Sequence, residues 1–291
     1  MLRQITRTYP ISKIQGCGND FVILTDFEEC LTPELVQKIC KRRYGVGADG
    51  LMTVCHSRIE GAEIRMKFFN PDGSVAEMCG NGIRCFAKYL LDNKLIDSLS
   101  NVPIDTDAGL LFIDITENTS RECLVKVNMG VPLLEQSEQC SLGLSEGQSY
   151  ITAQIDDFKY TFVSMGNPHA VTFSENPKVD VLAYGEKIEK NEVIFPERTN
   201  VEFAKVTSES HIEMHVWERG AGITLACGTG ACATFVAAYL EDKVAPKATV
   251  ALPGGDLYIE WEGIGKPIFM TGEAVNVFHI DVESLEKNIL L

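Results

Sequence analysis

Two cysteines sit in matching glycine-rich contexts. Cys79-Gly80-Asn81-Gly82 leads into Ile83-Arg84-Cys85-Phe86-Ala87, and Cys227-Gly228-Thr229-Gly230 leads into Ala231-Cys232-Ala233-Thr234-Phe235. Their offset is 227 − 79 = 148 positions in a chain of 291 residues. A second pair keeps the same spacing: Asn19 of Gly16-Cys17-Gly18-Asn19-Asp20-Phe21 and Asn167 of Met165-Gly166-Asn167-Pro168-His169 give 167 − 19 = 148. Two unrelated motifs with one offset predict two copies of one structural unit. A thiol ordinarily ionises near pH 8.5, so little of it is thiolate at neutrality. A helix N-terminus, with its partial positive charge and unpaired N–H groups, favours the thiolate. The glycines leave those N–H groups open to an anion, and a substrate carboxylate is the obvious guest.

If the two copies face one molecule, their sulfurs reach one carbon from opposite sides. One thiolate then removes a proton from one face and the other thiol returns one to the opposite face, which inverts a stereocentre. Charge develops on the carboxylate, where the helix-end N–H groups point. Two adjacent thiolates repel, so the pair is expected to share one proton and titrate as a unit. This chemistry calls for no metal and no cofactor. A single motif of this kind would read equally well as a buried cysteine beside packing glycines; the matched offset favours the chemical reading.

Elements that would position these groups are visible in the pattern. Ile11–Leu24 reads as a strand pair broken by glycines. Thr32-Pro33-Glu34 opens a helix with a capping hydroxyl and a proline at the first position. Glu63–Phe69 reads as a strand and Asn70-Pro71-Asp72-Gly73 as a turn. Ile83, Phe86, Ala87, Leu90 and Leu91 follow Cys79 at helical spacing, and Ala231–Leu240 is apolar all round, as in a buried helix. Strands are expected at Val102–Thr106, Leu110–Thr116, Leu124–Val127, Tyr160–Ser164, Val171–Phe173, Val201–Val206, His211–Trp217, Thr249–Leu252, Tyr258–Trp261 and Phe269–Thr271, with a helix at Val179–Lys190. The expected architecture is α/β of the α+β type: two pseudo-symmetric domains, each a mostly antiparallel sheet around a central helix. One comprises residues 1–127 plus 274–291, the other 128–273.

Composition narrows the class. The chain is 45% hydrophobic and 23% charged, ordinary for a globular protein, with a net charge of −15. A surface that acidic repels phosphate backbones and anionic lipid, so neither nucleic acid nor membrane is an expected partner. No apolar run approaches the length of a membrane span. Arg3 and Arg7 precede no apolar stretch, so no secretory signal is read, and residues 1–9 are expected to extend ahead of the first strand. The ten cysteines form no C-x-x-C pair and no regular framework, which predicts reduced thiols in a cytoplasmic setting. Cys30, Cys40, Cys55, Cys123 and Cys140 read as fillers or surface thiols, and Cys85 and Cys232 as core.

At this point the motifs resemble a known family, the diaminopimelate epimerases, which work without pyridoxal phosphate. The resemblance runs from about Lys13 to about Phe278 and includes Phe69-Asn70-Pro71-Asp72-Gly73-Ser74, Met78-Cys79-Gly80-Asn81-Gly82, Ser164-Met165-Gly166-Asn167-Pro168-His169, Pro196-Glu197-Arg198-Thr199-Asn200 and Glu218-Arg219-Gly220-Ala221-Gly222. It implies an isomerase that converts LL-2,6-diaminopimelate to the meso form for lysine and peptidoglycan synthesis. It implies Cys79 as proton donor and Cys227 as acceptor. It also implies that Gly80, Asn81, Gly228 and Thr229 hold the reacting carboxylate, and that Asn19, Asn70, Asn167, Asn200, Glu218 and Arg219 bind substrate. The last five would read the distal amino-acid head: Glu218 suits an ammonium and Arg219 a carboxylate. His169 matches a histidine near the site. Gly50 and Ile223 stand where some members carry glutamine and glutamate. A cleft between the two domains and a homodimer are further implications. His211 and His215 flank a strand without matching carboxylates and read as structural, with no metal expected. The nearest alternative is a related cofactor-independent racemase, for example of glutamate or histidine. A thiol-redox switch explains neither the asparagines nor Glu218-Arg219.

Overall fold

A computed structural model describes residues 9–26, 31–76, 79–135, 140–144 and 147–282. Cys30, Met78, most of the expected N-terminal extension and residues 283–291 lie outside the described residues. The chain divides into two compact units: Met1–Val127 with Glu273–Leu291, and Asn128–Gly272.

In chain order, the first unit contains β1 (Tyr9–Gly16), β2 (Asn19–Thr25), α1 (Pro33–Cys40), β3 (Gly50–His56), β4 (Ile64–Phe69), β5 (Val75–Ala76), α2 (Gly80–Asp92), β6 (Val102–Thr106), β7 (Gly109–Asn118) and β8 (Glu122–Asn128). The second contains β9 (Thr152–Ile155), β10 (Phe158–Ser164), β11 (Pro168–Phe173), α3 (Pro177–Glu189), β12 (Asn200–Ser208), β13 (His211–Glu218), β14 (Gly222–Ile223), α4 (Gly228–Leu240), β15 (Lys247–Leu252) and β16 (Gly255–Trp261). The last strand, β17 (Ile268–Val282), gives its first residues to the second unit and the rest to the first. Strands dominate and most pairings are antiparallel, an α+β architecture.

The repeat predicted by the 148-residue offset is present element by element. Adding 148 to the bounds of α2 gives 80 + 148 = 228 and 92 + 148 = 240, the bounds of α4. Parallel pairing recurs at the same places: β2 with β3 and β4 with β6 in the first unit, β11 with β12 and β13 with β15 in the second. In the first unit, pairing runs β17–β1–β2–β3–β4–β6–β7–β8 and returns to β17, a closed ring. In the second, β10–β11–β12–β13–β15–β16–β17 is closed through an irregular segment. There Met129 N–H donates to Ile268 O and Ile268 N–H to Gly130 O, both at 2.9 Å, while Leu133 and Ser164 exchange backbone bonds at 2.9 Å. Closure leaves fewer unpaired strand edges.

Each ring buries a helix. α4 packs on β10, β11, β12, β13, β15 and β16, as its all-round apolarity predicts. α2 is buried just as fully, yet it carries Arg84 and Lys88 at 0% exposure. Lys88 survives burial because its ammonium donates to Asp92 Oδ1 at 2.6 Å, Thr119 O at 2.8 Å and Asn118 Oδ1 at 3.3 Å. The helix α1 starts as expected, with Thr32 Oγ1 accepting from Leu35 N–H and Pro33 at its first position. Among the described residues no helix is long and apolar enough to cross a membrane. Cys40, Cys55, Cys85, Cys123, Cys140 and Cys232 are buried, so none of these is a surface thiol.

Candidate active site

Each cysteine of the repeated motif is the N-cap of its helix. Cys79 precedes α2 in an extended conformation (φ −140°, ψ 120°), and its Sγ accepts the Gly82 N–H at 3.3 Å. Cys227 precedes α4 in nearly the same conformation (φ −128°, ψ 110°), and its Sγ accepts the Gly230 N–H at 3.4 Å. The sulfur thus takes the place of a capping hydroxyl and satisfies one of the orphan donors of the first turn. Glycine at these third positions leaves room for the sulfur. A Cβ on Gly82 would lie 3.1 Å from Cys79 Cβ, and one on Gly230 would lie 3.2 Å from Cys227 Cβ.

In the first unit, a two-residue turn with Cys17 (φ 52°) and Gly18 (φ 76°) joins β1 to β2 and delivers Asn19 to the thiol. Asn19 Oδ1 lies 3.8 Å from Cys79 Sγ and accepts from Asn81 Nδ2 at 3.4 Å. The other end of the amide, Nδ2, donates to Asp49 Oδ2 at 2.9 Å. Asp49 is held in turn by the Asp20 N–H at 3.1 Å and by an ion pair with Arg42. Asn81 is 3% exposed, and its Oδ1 accepts from Arg84 Nη2 at 3.1 Å. Arg84 also donates to Gly80 O at 3.1 Å, Glu273 O at 3.3 Å and Cys17 Sγ at 3.5 Å, tying the helix start to the β1–β2 turn and to β17. Asn70 stands apart from this cluster: its amide donates to Ser74 Oγ at 3.0 Å within its own turn.

In the second unit, Asn167 is the last residue of the β10–β11 turn, where Asn19 is the first residue after its own, and Gly166 before it has φ 94°. Its Nδ2 donates to Thr229 Oγ1 at 3.3 Å, and Thr229 Oγ1 lies 3.5 Å from Cys227 Sγ. His169 is buried, with Nε2 3.2 Å from Asn167 Oδ1 and Nδ1 2.6 Å from Glu202 Oε1. Glu218 accepts from the Thr224 hydroxyl. Asn200 works as a backbone clamp: Oδ1 accepts the Arg219 N–H at 2.9 Å and Nδ2 donates to Pro168 O at 2.9 Å. The Arg219 guanidinium donates to Glu197 O at 3.1 Å.

The electrostatics of Cys227 differ from the sequence expectation. Burial pushes its thiol well above its ordinary value, and the charges of Glu218 and Glu202 push it further. Hydrogen bonds from Thr229 and from the Gly230 N–H act in the expected direction but are outweighed. The helix end alone does not make this cysteine a thiolate. Glu218 is raised too, chiefly by burial. His215 is lowered by burial. Among the described residues no group of three or more His, Cys, Asp or Glu is placed to hold a metal ion.

Sequence reasoning missed Glu202 and Arg84. Glu202 interrupts the apolar run Val201-Glu202-Phe203-Ala204 in β12, where every residue from Asn200 to Ala204 is buried. Arg84 breaks the apolar face of α2 one turn after Gly80. A charge inside an otherwise apolar run was the available signal in both cases, since such a group must find a partner when buried.

The arrangement places, in each unit, one sulfur at a helix N-terminus beside open backbone donors and an asparagine amide. Such a pair of sites suits proton transfer next to a carboxylate. The chain matches the diaminopimelate epimerase family over residues 11–134 and 161–277. It is 46% identical over 278 residues to the diaminopimelate epimerase of Desulfitobacterium hafniense, covering 92% of this chain and 96% of that one. It is 43% identical over 292 residues to the chloroplastic diaminopimelate epimerase of Oryza sativa subsp. japonica, covering 95% and 81%. A Bacillus anthracis phenazine biosynthesis protein of the PhzF family shares the fold, with a TM-score of 0.65 at 19% identity over 95% of this chain and 99% of that one. The motif spacing, the doubled architecture and the extent of these matches agree: the chain belongs to the diaminopimelate epimerase family, and it is an isomerase.

Proposed function

We propose that this protein converts LL-2,6-diaminopimelate to the meso isomer by a two-base mechanism, with Cys79 as proton donor and Cys227 as proton acceptor. The observation that carries the reading is the repeated N-cap thiol: two helices with matching bounds, each opened by a cysteine whose sulfur accepts one first-turn N–H. In this reading Gly80 and Asn81 of one helix start, with Gly228 and Thr229 of the other, hold the reacting carboxylate. Asn19, Asn70, Asn167, Asn200, Glu218 and Arg219 bind the remainder of the substrate. No cofactor takes part. The product serves lysine and peptidoglycan precursor synthesis in the cytoplasm, and the working form is a homodimer.

The raised thiol of Cys227 gives the substrate a part in its own activation. Of the influences that keep Cys227 protonated, burial is largest and the Glu218 charge comes next. A substrate ammonium seated against Glu218 neutralises that charge and eases loss of the thiol proton. Ionisation would then be favoured when substrate is bound.

Proton NMR of the reduced protein with LL-diaminopimelate in deuterated water tests the reading. The expected result is loss of the α-proton signal with appearance of the meso isomer and no added cofactor. Cys79→Ala and Cys227→Ala should each abolish turnover while remaining folded. Full activity in either variant would sink the two-base mechanism, and absence of exchange with this substrate would move the assignment to a racemase of a smaller amino acid.

A further inference from the structure

Two amides stand beside Cys79, and each has a charged group behind it. Arg84 Nη2 donates to Asn81 Oδ1 at 3.1 Å, Asn81 Nδ2 to Asn19 Oδ1 at 3.4 Å, and Asn19 Nδ2 to Asp49 Oδ2 at 2.9 Å. A guanidinium only donates and a carboxylate only accepts, so the direction of the row is fixed from both ends. Turning Asn81 over would set its NH2 group against the guanidinium. Turning Asn19 over would set its oxygen against the Asp49 carboxylate. Either reversal alone also breaks the bond between the two amides. The row therefore leaves Asn19 Oδ1, 3.8 Å from Cys79 Sγ, as the end that faces the thiol.

Asp49 is held in place independently of Asn19. Its backbone N–H donates to Asp20 O at 2.8 Å and to Asp20 Oδ1 at 3.1 Å, its Oδ2 accepts the Asp20 N–H at 3.1 Å, and its Oδ1 pairs with Arg42. The fold does not require this carboxylate. β2 pairs with β3 at Phe21–Gly50, and β11 with β12 at His169–Asn200, so Thr199 stands in the second unit where Asp49 stands in the first. The Thr199 hydroxyl is spent on the Asn200 carbonyl at 3.0 Å. Cys232 stands where Arg84 does, since 84 + 148 = 232. The second unit builds its strands and its buried helix with neither charged pole.

We propose that Asp49 is a positioning residue of the first unit's site: by accepting the Asn19 N–H it keeps the amide oxygen, and not the NH2 group, facing the substrate beside Cys79. The inference rests on the epimerase reading above. The other backbone groups at this helix start are N–H donors, which suit a carboxylate. The Asn19 oxygen supplies an acceptor, which suits an ammonium. An α-amino acid carries both groups on one carbon, so donors and acceptor together fix which way round it lies against the thiol. With the amide reversed, the carboxylate would find donors in both places and the stereocentre would lose its orientation.

The test uses the full chain. Neutron diffraction from crystals of the deuterated wild type should show deuterium between Asn19 Nδ2 and Asp49 and none on the Asn19 atom that faces Cys79. Deuterium on that facing atom overturns the proposal without any variant. Asp49→Ala should lower kcat/KM for LL-diaminopimelate about tenfold, the effect of losing one hydrogen bond to an ionised group. Arg42→Gln removes the same ion pair but leaves the Asp49–Asn19 bond, and should keep kcat/KM within about twofold. A merely structural role would move both variants alike. Equal losses in the two, or unchanged kcat/KM in a folded Asp49→Ala protein, overturn the proposal. A wild type that leaves diaminopimelate unexchanged refutes the epimerase reading instead, while the diffraction result still decides the orientation of the amide.

Discussion

Adding one methyl group behind each thiol separates the two sites. Gly82→Ala and Gly230→Ala are repeat-equivalent changes that leave both sulfurs in place. A Cβ at Gly230 would lie 2.7 Å from Glu202 Oε1, where ordinary contact begins at 3.4 Å, so the carboxylate must retreat by 3.4 − 2.7 = 0.7 Å. Glu202 is 0% exposed and hydrogen-bonded to His169 at 2.6 Å, so it has no solvent to retreat into. Losing that charged hydrogen bond costs roughly 1.5–3 kcal/mol, and the helix preference of Ala over Gly returns up to about 1 kcal/mol. The net loss is about 1–2 kcal/mol, or a fall in Tm of about 2–8 °C. At Gly82 the new Cβ meets Met52 Sδ at 3.2 Å, a contact that a flexible thioether relieves by a shift of a few tenths of an ångström. There the helix preference offsets the strain and the net change is about zero. Thermal unfolding by calorimetry with epimerisation rates on the same preparations provides the comparison. Gly230→Ala should lose both stability and kcat. A Gly82→Ala protein destabilised as much as Gly230→Ala would refute the reasoning, because it would mean the buried carboxylate is not what sets the cost.

Two further outcomes are expected. Cys79 is the one cysteine among the described residues that is not fully buried, whereas Cys227 is buried and its thiol is raised. Brief iodoacetamide treatment followed by peptide mass spectrometry should modify Cys79 well before Cys227, Cys40 (pushed up to about 11 by burial) or Cys123 (pushed up to about 12 by burial); faster labelling of Cys227 would contradict the burial argument. For Asp20, burial works to raise the carboxyl, but hydrogen bonds and charges from Arg42 and Lys13 outweigh it and hold the value well below its ordinary 3.8. A lowered folded value stabilises above the unfolded value and loses that contribution as pH falls through the folded one. The stability gap between wild type and Asp20→Asn, about 1–2 kcal/mol at pH 6, should therefore narrow steadily below pH 4 in urea titrations; a gap that widens with acid would reverse the sign.

Local chemistry made much of this molecule legible. The Thr32-Pro33 start of α1, the glycine turn before Asn19 and the cysteine caps all follow from residues within a turn of one another. The 148-residue offset exposed the repeat because the two copies kept their caps in register. Longer-range facts were hidden. The β3 strand is a run of buried residues without alternation, which periodicity alone does not identify. An expected strand at Phe269–Thr271 became β17, fifteen residues long, because β16 pairs with its first residues and β1 with its later ones, while β8 also pairs with it. Arg84 and Glu202 owe their places to partners far along the chain, including Glu273 and His169. The ionisation of Cys227 was misjudged for the same reason, since the carboxylates that act on it lie on β12 and β13.

The route of β17 has a consequence for synthesis on the ribosome. The second unit is continuous from Asn128 to Gly272, so its whole sequence emerges in one stretch. The first unit has β1 and β8 in the nascent chain long before the strand that joins them. From Val127 to Val282 is 282 − 127 = 155 residues, about 8–31 s at a translation rate of roughly 5–20 residues per second. During that interval two strand edges stand open to other nascent chains and to chaperones. A slow codon or a truncation within β17 would therefore be felt first in the unit whose synthesis began earliest.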